Sequence, residues 1–154
     1  MSVDRSVEIR LVTKLDYFSE LLQLLTKNIY SFNDDGTVTS LHETDIDDFD
    51  FIQFSSFQVA KDVLNKREDN GLDNHVVIWD KSLDDSLLVR STRLHNDYKG
   101  YKNQYNIVFI IGHGRRIEGA DRYTDFSKYL NKLMPILIMN DIYVCEINCR
   151  DLDC

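Results

Sequence analysis

The sequence predicts a single α/β domain with a central, mostly parallel sheet flanked by helices in three layers. Three observations carry that prediction. Strand-like apolar runs alternate along the chain with segments of helical periodicity, the pattern of strand–helix–strand units. The run Asn106–Ile111 is almost continuously apolar, as expected of a strand covered on both faces. One Pro and 6 Gly in 154 residues leave little room for a linker, so the chain reads as one domain over 1–154.

The elements follow in order. Val7–Val12 alternates apolar and polar residues as a strand does, and Asp16 stands where a helix N-cap belongs. Phe18, Leu22, Leu25 and Ile29 then recur at helical spacing. Asn33-Asp34-Asp35-Gly36 is turn chemistry between short β-like runs at Ile29–Phe32 and Thr37–Leu41. Phe49–Phe54 reads as a strand. A helix follows, capped by Ser55 or Ser56, with Phe57, Ala60 and Leu64 on its apolar face and Asn70-Gly71 at its end. His75–Trp79 is a short buried strand, turning at Leu83–Ser86 into Leu87–Thr92 as a hairpin. After the 106–111 strand, Thr124 caps a helix bearing Phe126, Tyr129, Leu130, Leu133 and Leu137, which Pro135 should kink or end. Ile142–Asn148 is the last strand and closes on Cys149.

Composition narrows the function classes. The net charge is −8, with −10 over residues 1–89, +4 over 90–122 and −2 over 123–154. An acidic body repels phosphates, which argues against nucleic acid and for a protein partner with a basic surface. No apolar run approaches the ~20 residues of a membrane span. The 3 cysteines, crowded at 145, 149 and 154, form no disulfide framework and point to a reducing, cytoplasmic setting. Cys145 and Cys149 would stand about 13 Å apart along a strand, too far to share a metal, so no metal site is expected.

The chemistry-bearing candidates lie at two strand ends. In a parallel sheet, functional groups gather beyond the carboxyl ends of the strands. His113 follows the 106–111 strand between Gly112 and Gly114, and Cys149 ends the strand after the next crossover. An imidazole and a thiol at neighbouring strand tips would suit nucleophilic chemistry, with backbone N–H groups at Gly112 and Gly114 free for an oxyanion. The plainer alternatives are a tight turn at the glycines and a small buried hydrophobe at Cys149.

On these residues the chain resembles the caspase-like cysteine peptidases. The stretch Ile107–Arg115 (IVFIIGHGR), the helix after Thr124 and Ile142–Cys149 (IYVCEINC) are most similar to the autoprocessing cysteine protease domains of large bacterial toxins. The resemblance implies a caspase-like core over 48–154 with an extension at 1–47. It also implies catalysis by Cys149 and His113, and activation by inositol hexakisphosphate. Arg90, Arg93, Lys99, Lys102, Arg115 and Arg116, interleaved with Tyr98 and Tyr101, are the candidates for such a polyanion.

Two functions are therefore expected. The first is a cysteine peptidase-like protein, active or inactive, that processes itself or one protein target. The second is an acidic, non-enzymatic immunity or inhibitor protein that caps a basic toxin or nucleic-acid-binding surface. Asp34, Asp35, Glu43, Asp45, Asp47, Asp48 and Asp50 would then dock the partner.

Overall fold

The computed structural model describes residues 3–112 and 114–153. Among them, seven strands form one sheet in the order β3-β2-β4-β5-β6-β1-β9, and every neighbouring pair is antiparallel. The strands are β1 (Val3–Thr13), β2 (Val38–Leu41), β3 (Phe51–Phe54), β4 (Asn74–Asp80), β5 (Asp85–Leu94), β6 (Asn103–Ile111) and β9 (Tyr143–Asp153). A separate hairpin pairs β7 (Arg116–Ile117) with β8 (Ala120–Thr124). The helices are α1 (Phe18–Asn28), α2 (Phe57–Asp69) and α3 (Ser127–Met139).

The antiparallel sheet corrects the expected mostly parallel, caspase-like three-layer architecture, and the reason is topological. Two of the crossovers do join strands that run in the same direction, β3 to β4 through α2 and β6 to β9 through α3. Each crossover skips one position, however, and an antiparallel strand fills the gap. That strand is β2 in the first unit and β1 in the second. The segment 1–47, without a counterpart in the resemblance, thus supplies the strand between the two elements expected to be neighbours.

The layers number two. Val7, Ile9, Leu11, Val76, Ile78, Leu87, Val89, Tyr105, Ile107 and Phe109 point to one face, where they pack with Phe18, Leu22 and Leu25 of α1, Ala60 and Leu64 of α2, and Tyr129, Leu133 and Leu137 of α3. The opposite face has no helical cover among the described residues. Val108 and Ile110, read as the second buried face of the 106–111 strand, are only half-buried there, beside Leu88 and Val77.

Local signals explain the element ends. The Glu20 carboxylate accepts N–H bonds from Asp16 (2.6 Å) and Tyr17 (3.1 Å), so the cap position falls on Tyr17 rather than Asp16. Ser56 caps α2 by accepting from Val59 N at 3.3 Å, and Gly71 ends it at φ 73°. Asp125 holds Ser127 at the start of α3, while Thr124 ends β8 instead of capping the helix. The helix runs through Pro135 to Met139 rather than stopping there. The stretch 29–32 contributes one bridge, Ser31 to Trp79, instead of a strand.

Candidate functional site

Cys149 is not at the tip of its strand. It lies inside β9, paired with Val7 of β1, which in turn pairs with Phe109 of β6. Two strand spacings put Cys149 about 9.5 Å from Phe109, and Gly112 lies three residues, about 10 Å, further along β6. Cys149 is exposed at the sheet edge, and partial burial raises its thiol above the ordinary range, opposite to the lowering expected of an activated nucleophile. His113 lies outside the described residues.

Both glycine N–H groups expected to serve an oxyanion are occupied. Gly112 N–H donates to Ser86 O (3.0 Å) and Gly114 N–H to Asp85 Oδ2 (3.2 Å). Close packing explains the first glycine. A Cβ at 112 would stand 2.9 Å from both Ser86 O and Ser86 Oγ, and 3.1 Å from Asp85 Oδ1.

The basic residues do not converge. Arg90 points to the open face and bridges Asp73 at 3.5 Å, whereas Arg93 points to the helical side and donates to Asn103 Oδ1. Lys102 pairs with Asp16 at one end of β6, and Arg115 and Arg116 lie beyond the other end, about 27 Å away at ~3.4 Å per residue. Lys99 is exposed on the β5–β6 loop. No pocket for one inositol hexakisphosphate unites them among the described residues.

The acidic residues divide into two groups at opposite ends of β4. Asp45 is only 8% exposed; burial pushes its carboxyl up, but the N–H bonds it accepts from Asp50, Phe49 and Asp48, with the Arg67 charge, hold it below the usual range. The same loop is anchored by the buried Arg67 guanidinium, which donates to the carbonyls of His42, Asp45 and Asp73. Glu43 faces Lys66 at 4.0 Å, while Asp47, Asp48 and Asp50 remain exposed.

At the far end of β4, Asp34 and Asp35 line a cleft of about 540 Å³ together with Asn33, Trp79, Lys81 and Asp84. Asp80 and Asp85, paired across the β4–β5 register and each 1% exposed, form its floor. These two are fully engaged. Asp80 takes Lys132 Nζ at 3.0 Å and the N–H and hydroxyl of Ser82, and Asp85 takes Tyr129 Oη at 3.0 Å besides Gly114 N–H. The wall is freer. Trp79 is 41% exposed and its indole N–H donates to Asn33 Oδ1 at 3.1 Å, which fixes the ring. Asp34, Asp35 and Asp84 stand in solvent, with Lys81 bridging Asp34 at 3.1 Å.

No protein-family model, curated protein or solved structure matches this chain. Among the described residues no cluster of His, Cys, Asp and Glu could hold a metal ion, and no helix is long and apolar enough to cross a membrane. Sequence reading found Asp34 and Asp35 but missed Trp79 and Asp84 as their companions. The 29–41 segment and the β4–β5 turn are brought together by the Ser31–Trp79 bridge, the Trp79–Asn33 hydrogen bond and the Lys81–Asp34 ion pair, which no local pattern announces.

Proposed function

We propose that this chain is a non-enzymatic, acidic binding protein of immunity or inhibitor type, which caps a basic surface on a partner protein. The observation that carries the reading is the cleft at the β4–β5 turn. It combines a fixed, exposed indole with three solvent-facing carboxylates, above a floor whose charges are already satisfied. An aromatic face and nearby carboxylates are the complement of a Lys or Arg side chain, and the −8 net charge would speed the approach of a basic partner. The antiparallel sheet, the raised Cys149 thiol and the occupied Gly112 and Gly114 N–H groups further favour binding over thiol catalysis.

The chain has 1 Trp, so its fluorescence reports on this cleft alone. Titration with tri-arginine at low salt should change Trp79 emission, and the change should shrink as salt is added. Triglutamate should have no effect. The double variant Asp34→Asn/Asp84→Asn should weaken the response on the order of tenfold. Unchanged emission at millimolar tri-arginine, or a response indifferent to the double variant, would overturn the proposal.

A further inference from the structure

At the sheet edge away from β3, the last strand has one side without a partner. β9 spans 11 residues and pairs with β1 alone among the described strands. A long unpaired edge is a template for another strand. Proteins commonly blunt such edges with bulges or proline, and here an irregularity near the start of β9 does part of that. Leu11 pairs with Val144 and Arg10 with Glu146, which leaves Cys145 as the extra residue. From Glu146 onward the register is unbroken through Asp151, with no proline.

That regular stretch is self-complementary. Its faces alternate, Glu146, Asn148 and Arg150 lying on the open side of the sheet, Ile147 and Cys149 on the helical side. In an antiparallel pairing of two identical strands, the two-fold axis passes opposite one residue, which then faces its own copy. With the axis at Asn148, each Glu146 falls directly opposite an Arg150, and each Ile147 opposite a Cys149. An axis at Glu146 or Arg150 would instead oppose like charges, and an axis at Ile147 or Cys149 leaves both ionic pairs unmade. Only the Asn148 register satisfies all five positions together.

The exposures fit this arrangement. Ile147 is 39% exposed, a large apolar side chain left uncovered at the edge. Cys149 and Arg150 are exposed, and Arg150 has no ion-pair partner among the described residues. Asn148 Nδ2 donates to Glu146 Oε1 at 3.1 Å, aligning that carboxylate along the edge.

We propose that the edge of β9 binds a second copy of this chain, antiparallel about Asn148, joining two sheets into one with Glu146–Arg150 ion pairs across the junction. The surface is separate from the β4–β5 cleft, so the inference stands apart from the reading of that cleft.

The test is sedimentation equilibrium of the full chain under reducing conditions, from micromolar to millimolar protein at low salt. The wild type should shift from monomer to dimer mass. Arg150→Glu, at an exposed position, should raise the dimer dissociation constant at least on the order of tenfold by opposing carboxylates. Glu146→Arg should do the same by opposing guanidinium groups. Glu146 meets Arg10 within its own chain at 3.3 Å, but Glu146 is exposed and Arg10 half-buried, so the loss of this surface pair should leave the fold intact. Mixing the two variants restores opposite charges at both positions, and dimer mass should return. A wild type that stays monomeric throughout, a dimer that Arg150→Glu leaves unchanged, or a mixture that stays monomeric would each overturn the proposal.

Discussion

At the scale of single residues, side chains of catalytic type serve as structure. Asp85 accepts from Tyr129 and Gly114, Asp45 organises its own loop, and Arg67 spends its guanidinium on backbone carbonyls. Cys149 is not activated either. Its thiol is raised by partial burial, so at any pH below that raised value it holds less thiolate than a free thiol does. Alkylation by iodoacetamide should therefore run slower at Cys149 than at a small-molecule thiol near neutral pH. Its pH midpoint should lie above the ordinary value of 9.0. His113→Ala should leave both unchanged. Peptide mass spectrometry separates Cys149 from Cys145 and Cys154. Fast labelling at pH 6, abolished by His113→Ala, would restore the thiol-catalysis reading.

At the scale of elements, periodicity made most strands and helices legible. The runs at Val7–Val12, His75–Trp79, Leu87–Thr92 and Asn106–Ile111 fall within β1, β4, β5 and β6, and the apolar residues at helical spacing lie on α1, α2 and α3, except Ile29 and Phe126, which stand at cap positions just outside α1 and α3. Strand neighbours were not legible, because adjacency here is set between the two ends of the chain. Val7 sits between Phe109 and Cys149, over 100 residues away, and nothing local to either segment encodes that seat. The candidate site was half legible for the same reason. Asp34 and Asp35 stand out as turn residues, but their aromatic partner arrives from another strand. Pro135 is the element-scale exception to local logic, since it stands exposed within α3 and the helix continues past it. Proline there removes one backbone hydrogen bond and crowds the preceding turn. Pro135→Ala should therefore stabilise the fold by about 2 kcal/mol, the ~3 kcal/mol cost of a proline inside a helix less up to ~1 kcal/mol for the freer unfolded chain. The expected readout is a higher Tm with an unchanged m-value in urea. A lower Tm would mean that the ring packs productively.

At the scale of the whole molecule, acidity acts on stability in two opposing directions. Asp35 and Asp45 are held below their ordinary 3.8 by hydrogen bonds to their carboxylates. What they contribute is present above 3.8 and is lost as the pH falls through their lowered values. Glu68 opposes them. It is 6% exposed at the α1–α2 junction, where Oε2 accepts from Phe18 N at 3.3 Å while Oε1 has no well-formed hydrogen bond. Burial raises its carboxyl, and the Tyr105 hydroxyl, Arg93 and Asp69 are the groups that act on it. The native state therefore holds a proton that the unfolded chain releases at its ordinary 4.5. Stability from Glu68 is complete below 4.5 and declines as the pH rises through the raised value. Relief of the −8 self-repulsion works in the same direction, so the stability maximum should lie on the acid side of neutrality. Glu68→Gln removes the buried ionisation and offers an amide donor to the Tyr105 hydroxyl, itself buried without a well-formed bond. At pH 7.5 the variant should be more stable than the wild type by about 1 kcal/mol, and near pH 4 the two should coincide. Urea midpoints measured from pH 4 to 8 trace both curves. A wild-type curve that climbs throughout this range, or a Glu68→Gln variant weaker at pH 7.5, would show that the carboxylate is held in its charged form.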